Sequence, residues 1–109
     1  MLKGHLDMIV LADRPAHGYE IIDTLRRRSG GTFDLPEGTV YPALHRLEQQ
    51  GFLASRWTTG DTGRERRIYA LTRSGRRALA DRRAVWHRFA AAIGGLFGET
   101  AHAAARSHR

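Results

Sequence analysis

Cysteine is absent from this 109-residue chain. Disulfide bonds, thiolate metal sites and redox chemistry through cysteine are therefore excluded. A chain without disulfide bonds suits a reducing compartment. Long hydrophobic runs are also lacking: no stretch reaches about 18 apolar residues, so we expect no membrane-spanning segment. The first residues include the charged Asp7 and no cleavage-like pattern. We therefore expect no secretory signal and a cytoplasmic location.

Lysine is nearly absent too, although the chain is strongly basic. Lys3 is the single lysine among 18 basic residues, which face 11 acidic residues and give a formal net charge of +7. Such an excess of positive charge favours a polyanionic partner. The alternative is that the arginines reflect genomic base composition and only solvate the surface. Their placement along the chain decides between these interpretations.

Residue patterns typical of enzymes are missing as well. The six histidines include no pair at the spacing of a helical zinc site. The serines lack the context of a nucleophile elbow, and no pair of carboxylates stands out for acid–base chemistry. Residues 60–63 are glycine-rich but lack the lysine and the following helix of a phosphate loop. We predict no catalytic residue, no metal site and no cofactor, and a protein that is not an enzyme.

The most informative stretch is residues 38–51. Four apolar residues recur there at the three- and four-residue spacing of a helix and predict a buried stripe: Val40, Tyr41, Leu44 and Leu47. Gly51 supplies the residue type that favours a helix end. The opposite side, hereafter the recognition face, carries small, hydroxylic, imidazole and guanidinium groups, on Thr39, Pro42, His45, Arg46 and Gln49. A helix that lies in the DNA major groove presents such a face.

A basic β-hairpin is predicted directly after this helix. Residues 52–58 and 66–71 have strand-like patterns, and a glycine-rich turn separates them. Arginines lie on or beside the hairpin, at Arg56, Arg64, Arg66 and Arg67. We call residues 59–66 the wing. A basic hairpin behind a helix of this kind is the layout of a winged helix-turn-helix.

Two further helices are expected before the recognition helix. The first covers Leu2 to Ala12, and the second runs from Tyr19 to about Ser29, with a buried seam of Tyr19, Ile22 and Leu25. Residues 32–35 form a connector or a brief strand. The predicted fold is mainly α with a small β-hairpin, a winged helix-turn-helix domain in residues 1–72.

A fourth, longer helix is predicted from Arg73 to about Ile93, capped by the hydroxyl of Thr72. Its apolar residues approximate a heptad repeat, at Leu79, Trp86, Phe89 and Ile93. So small a domain cannot bury them all, and a second copy of the same helix can. We therefore expect residues 73–98 to be a C-terminal dimerisation helix and residues 99–109 a frayed tail. The alternative is that the helix folds back onto its own domain.

Several sequence blocks resemble the PadR family of bacterial transcriptional regulators. They are residues 17–21 (HGYEI), 38–48 (GTVYPALHRLE), 51–53 (GFL) and 66–75 (RRIYALTRSG). The resemblance spans roughly residues 2–97 and implies a DNA-binding regulator that dimerises through the last helix. Some members of the family respond to aromatic ligands near this helix, so the resemblance makes Trp86 a candidate effector contact. A plain interface anchor is the other interpretation of Trp86.

Five residues of the predicted recognition helix are candidate DNA contacts. Arg46 is suited to bidentate hydrogen bonding to guanine or to a phosphate. Its alternative role is a salt bridge to Glu48 or another acid. Thr39 and His45 are expected at base edges or phosphates, or else on a solvated face. Pro42 shares this face. Periodicity places Tyr41 partly in the core, whereas the resemblance places it at the DNA surface.

Further contacts are predicted outside that helix. His17 and Tyr19 begin the second helix, where amide protons suit a phosphate, and a core position is an equal interpretation for Tyr19. Arg64 and Arg66 are expected to reach the DNA backbone or minor groove, or to remain solvated. Lys3 is expected to make a peripheral phosphate contact.

The leading functional hypothesis is a homodimeric repressor that binds a pseudo-palindromic operator in double-stranded DNA. A small aromatic effector is a further candidate partner, implied by the family resemblance alone. A winged-helix adaptor that binds protein is the alternative, and it would need a more apolar, less basic recognition face. Structured RNA is disfavoured because the major groove of A-form RNA is too narrow for a helix.

Overall fold

The computed structural model describes the backbone of residues 2–99 and the side chains of residues 5–99. The elements follow in the order α1 (Leu2–Asp13), β1 (Ala16–His17), α2 (Gly18–Arg28), α3 (Glu37–Gln49), β2 (Leu53–Thr59), β3 (Glu65–Leu71) and α4 (Arg73–Phe97). The predicted fold class, mainly α with a small β-hairpin, is confirmed. The side chains of Leu2 and Lys3 and the tail beyond Glu99 lie outside the described residues. No helix within residues 2–99 has the length and apolarity to cross a membrane.

Two compact units make up the chain, residues 1–79 and residues 80–109. The first, hereafter the winged-helix unit, contains α1, α2, α3, the sheet and the opening turns of α4. The second continues along α4, and its described part is helical to Phe97.

The sheet is antiparallel and has three strands in the order β1-β3-β2. The predicted hairpin is present, with β2 and β3 paired from Leu53 opposite Leu71 to Thr59 opposite Glu65. The sequence did not indicate β1, because two residues are too few to show alternation. β1 sets His17 opposite Ile68 of β3. Residues 32–35, the other candidate strand, form none.

Apolar side chains from all three short helices and from the sheet form the core of the winged-helix unit. The predicted stripe of α3 is confirmed at Val40, Leu44 and Leu47, which are buried. Tyr41 packs against the core and is half-buried. Most of the circumference of α1 is enclosed, so Met8 and Leu11 are buried in addition to Leu6 and Val10.

The predicted seam of α2 is partly wrong. Ile21 and Leu25 are the buried apolar residues of this helix, and Ile22 packs at the edge of the core. The Tyr19 side chain is 59% exposed. It lies beside Tyr41 instead of in the core, with the ring centroids 6.2 Å apart and the planes at 78°. A helix beginning at Gly18 turns Ile21 inward and leaves Tyr19 on the surface.

The start of α4 agrees with the sequence, and its end lies further along. The Thr72 hydroxyl accepts a hydrogen bond from the Gly75 amide at 3.0 Å, as the predicted cap requires. A Cβ at position 75 would overlap the carbonyl oxygen of Phe52, so only glycine fits there. The helix continues through Gly94 and Gly95 to Phe97, and Gly98, with φ of 78°, follows its end.

Asp7 is a charged side chain inside the core, 1% exposed. Neither carboxylate oxygen has a hydrogen-bond partner among the described residues. Burial raises the pKa of Asp7 to about 7, because the charged form is poorly solvated there.

Candidate nucleic-acid interface

The recognition face of α3 is mostly exposed. Pro42, His45, Arg46 and Gln49 are open to solvent, and Thr39 is half-buried. Packing of the buried stripe against α1, α2 and β2 fixes the orientation of this face. Side chains there can therefore reach a groove without any rearrangement of the core.

Arg46 does not form the salt bridge to Glu48 that was considered as its alternative role. Glu48 instead accepts hydrogen bonds from the Ser55 hydroxyl at 2.5 Å and from Arg67 Nη2 at 3.3 Å. Among the described residues Arg46 has no ion pair or side-chain hydrogen bond. Its guanidinium is available for an external acceptor.

Arg67 ties α3 to the hairpin, a role that the sequence did not indicate. Its Nε donates to the Ser55 hydroxyl at 2.8 Å, while Nη2 donates to both carboxylate oxygens of Glu48. The guanidinium also lies 5.5 Å from the ring centroid of Trp57 and 6.0 Å from that of Tyr69. Only the strand register, which sets Trp57 opposite Arg67, brings these groups together.

The start of α2 is held by a capping box built on His17. Its Nδ1 accepts a hydrogen bond from the Glu20 amide at 3.3 Å, and its own amide donates to Glu20 Oε1 at 3.0 Å. On the other side of the ring, Nε2 lies 2.9 Å from Nη1 of Arg66. Two residues predicted separately as DNA contacts are thus neighbours.

Tyr41 joins α3 to the start of α2. A Cβ on Gly18 would overlap the Tyr41 ring, so glycine is what permits their close approach. Desolvation is the main cause that raises the pKa of the Tyr41 hydroxyl above its usual value. The core position that periodicity predicts is confirmed in part, and the ring also lines the cleft at the surface.

A cleft of about 300 Å³ lies between the start of α2 and the hairpin. Its lining combines aromatic side chains with three arginines and one acid: His17, Gly18, Tyr19, Tyr41, Trp57, Arg64, Glu65, Arg66 and Arg67. Five of the predicted contact residues line it: His17, Tyr19, Tyr41, Arg64 and Arg66. Thr39, Pro42, His45 and Arg46 lie on the neighbouring recognition face. Sequence reasoning missed Trp57, which is 62% exposed, because an isolated aromatic in a strand usually signals packing.

The other predicted residues lie on α4. Leu79 packs partly against the core of the winged-helix unit. Trp86 is half-buried, whereas Phe89 and Ile93 are exposed. Within residues 2–99, no three His, Asp or Glu side chains are placed to hold a metal ion.

Residues 8–81 match the transcriptional regulator PadR-like family. The chain belongs to this family. The resemblance found in the sequence blocks is confirmed, and PadR-family proteins are DNA-binding regulators, not enzymes.

Individual PadR-family relatives agree with this assignment. A transcriptional regulator of Mycobacterium tuberculosis is 44% identical over 75 residues, which cover 68% of this chain and 66% of that protein. A PadR-family regulator of Clostridium difficile has a similar structure, with a TM-score of 0.79 and 28% identity over 90% of this chain and 100% of that one.

Bacillus subtilis PadR, described as a negative transcriptional regulator, is 33% identical over 59% of this chain and 35% of that protein. Its structure in complex with operator DNA has a TM-score of 0.69 and 27% identity, and covers 74% of this chain and 46% of that one. The PadR-family chain described here therefore spans less than half of that relative.

Proposed function

We propose that this PadR-family protein is a homodimeric repressor that binds a pseudo-palindromic operator. Residues 38–50 would lie in the major groove, and the wing would follow the flanking backbone. The observation that carries the proposal is the exposed recognition face beside a cleft lined by arginines. Bacillus subtilis PadR is a negative transcriptional regulator with a structure in complex with operator DNA, and this relative supports repression and a DNA partner.

The two arginines proposed as contacts have different tasks. Arg46 projects from α3 and forms no ion pair with any residue that the structure describes, so a base edge can use its paired donors. Arg64 lies next to the hairpin turn and lines the cleft. A long cation at that position suits the sugar–phosphate backbone, which carries no sequence information.

Exposed apolar residues of α4 support the homodimer. Five large apolar side chains of this helix are exposed: Val85, Phe89, Ile93, Leu96 and Phe97. Leu96 is 85% exposed and Phe97 is 76% exposed. A second α4 that covers them would remove apolar surface from water, which stabilises the dimer by about 25 cal/mol per Å² of buried apolar surface.

Trp86 is the candidate contact for a small aromatic effector. Titration of aromatic compounds against the DNA complex tests this role.

A protein-binding adaptor fits the recognition face less well. It would need an apolar surface on α3, whereas the exposed residues there are Pro42, His45, Arg46 and Gln49. No described feature of this face favours a protein partner over a nucleic acid.

Matched arginine variants test the DNA proposal. Binding of the fragment upstream of the protein's own gene, and of random DNA, is measured by fluorescence anisotropy at several salt concentrations. Arg46→Ala should weaken specific binding by about 1–3 kcal/mol and relax base preference locally. Arg64→Ala should weaken binding to both DNAs and lower the slope of log K against log salt by about one. If the two variants behave alike on both DNAs, the proposed division of labour is wrong.

A further inference from the structure

The imidazole of His17 has two partners that require opposite proton positions. Nδ1 lies 3.3 Å from the Glu20 amide nitrogen, and Nε2 lies 2.9 Å from Nη1 of Arg66. Both partners are hydrogen-bond donors only. A neutral imidazole carries its proton on one nitrogen and accepts at the other. The ring can therefore satisfy the start of α2 or the wing, but not both together.

Each proton position has a definite structural consequence. With the proton on Nε2, the ring caps α2 through Nδ1. Arg66 then faces a donor and loses its acceptor. With the proton on Nδ1, the ring accepts from Arg66, and the Glu20 amide loses its cap. A doubly protonated ring accepts from neither partner.

The bond to Arg66 is the shorter of the two and is charge-assisted, whereas the capping bond joins neutral groups. Charge-assisted hydrogen bonds are roughly twice as strong as neutral ones. Arg66 therefore competes effectively for the imidazole in the free protein. An anion that binds Arg66 in place of the imidazole therefore favours the form of the ring that accepts the hydrogen bond from the Glu20 amide.

We propose that His17 couples occupancy of the wing to the first turn of α2. In the DNA-free protein Arg66 holds a substantial share of the imidazole. A backbone phosphate that binds Arg66 releases the ring, which then takes the Nε2-protonated form and caps α2. His17 is thus a positioning residue, and its tautomer follows the state of the wing. The identity of the anion rests on the proposed DNA-binding function, whereas the competition for the imidazole does not.

The architecture favours this coupling. Pairing of β1 with β3 sets His17 opposite Ile68, two residues from Arg66. The cleft that His17 and Arg66 both line opens beside them. Arg66 can therefore turn toward a ligand in the cleft without a change in the strands. Arg64 lines the same cleft without a described contact to His17, and it serves as the matched control.

A DNA-free comparison tests the competition directly. Protein labelled with ¹⁵N at histidine is studied by NMR at about pH 8, above the ordinary histidine pKa. The wild type is compared with Arg66→Ala and Arg64→Ala, and His17→Asn assigns the His17 signals among the six histidines. Arg66→Ala should shift the ring nitrogens toward the Nε2-protonated form, and Arg64→Ala should not. Unchanged His17 nitrogens in Arg66→Ala overturn the proposal.

A second arm adds duplex DNA to the wild-type protein at low salt. Binding should move the His17 nitrogens in the same direction as Arg66→Ala and should slow hydrogen exchange at the Glu20 amide. A duplex that binds without moving the ring overturns the coupling to DNA. A duplex that fails to bind contradicts the proposed function instead, while the DNA-free comparison still decides the competition for the imidazole.

Discussion

At the scale of single residues, whether a side chain is already engaged by other residues matters as much as its chemical type. Arg46 lies on α3 and Arg67 on the neighbouring β3. Among the described residues, Arg67 is held by Glu48 and Ser55, whereas Arg46 has no ion pair or side-chain hydrogen bond. The sequence placed Glu48 near Arg46 along the chain. The fold directs Glu48 toward β2, because its neighbour Leu47 is buried and turns that side of the helix inward. Arg46 and Glu48 are two residues apart and lie on different sides of α3, so Arg46 stays exposed, as the DNA-binding proposal requires.

Asp7 gives a prediction about pH. Its pKa is about 7 in the folded protein against 3.8 for the exposed group. Between these values the folded state binds more protons than the unfolded state, so stability falls as pH rises from about 4 to 7. Each pKa unit corresponds to about 1.4 kcal/mol, so ionisation costs the folded protein on the order of 4 kcal/mol. Thermal unfolding from pH 5 to pH 8 should show this decline, and Asp7→Asn should flatten it.

The control for that prediction is Asp61→Asn, which removes the same charge from an exposed position at the hairpin turn. It should keep the wild-type decline with pH. Equal slopes for the wild type and Asp7→Asn would show that the buried carboxyl does not govern stability in this range.

Single-residue roles were predictable from the sequence only where position in an element decides them. Arg46, His45 and Pro42 are exposed as expected, since helical periodicity alone separates them from Val40 and Leu44. The burial of Asp7 was not predictable, because a carboxylate is normally found on the surface. Nor was the contact of His17 with Arg66, which depends on a two-residue strand.

At the scale of secondary-structure elements, the Glu48–Arg67 contact braces α3 against the hairpin. We predict a coupling free energy on the order of 1 kcal/mol between Glu48→Ala and Arg67→Ala, measured by urea unfolding in a double-mutant cycle. The figure is modest because both side chains are partly exposed, at 24% and 39%. Asp61→Ala, at the exposed hairpin turn away from Arg67, should show no coupling to Arg67→Ala. If the losses in the free energy of unfolding for Glu48→Ala and Arg67→Ala simply add, the contact does not stabilise the packing of α3 on the hairpin.

Most elements were foreseen, and the misses have physical causes. α1, α3 and the hairpin follow from periodicity and turn residues. The seam of α2 was misplaced because two steps of three residues, from Tyr19 to Ile22 to Leu25, drift by about 120° around the helix. Ile21 and Leu25 are four residues apart and share the buried side. α4 runs past Ile93 because Gly94 and Gly95 lower helix propensity without forbidding a helix.

At the scale of the whole molecule, the proposed dimer depends on α4. Burying a phenylalanine ring is worth about 1.5–3 kcal/mol, and a symmetric dimer contains two copies of each contact. Phe89→Ser should therefore weaken dimerisation by at least about a hundredfold, as measured by sedimentation equilibrium. Arg88→Ser, the adjacent exposed residue, should leave the dimer intact. A wild-type protein that stays monomeric would contradict this part of the proposal.

The most direct test of the central claim is selection of genomic DNA fragments by the purified full chain at moderate salt. Two copies of α3 related by a twofold axis should enrich an inverted repeat with half-sites about one helical turn, or 34–36 Å, apart. Arg46→Ala should still enrich the inverted repeat, but with the base preference relaxed at the position in each half-site that Arg46 contacts. Recovery of fragments with no common sequence, or with a motif that lacks twofold symmetry, would contradict the account.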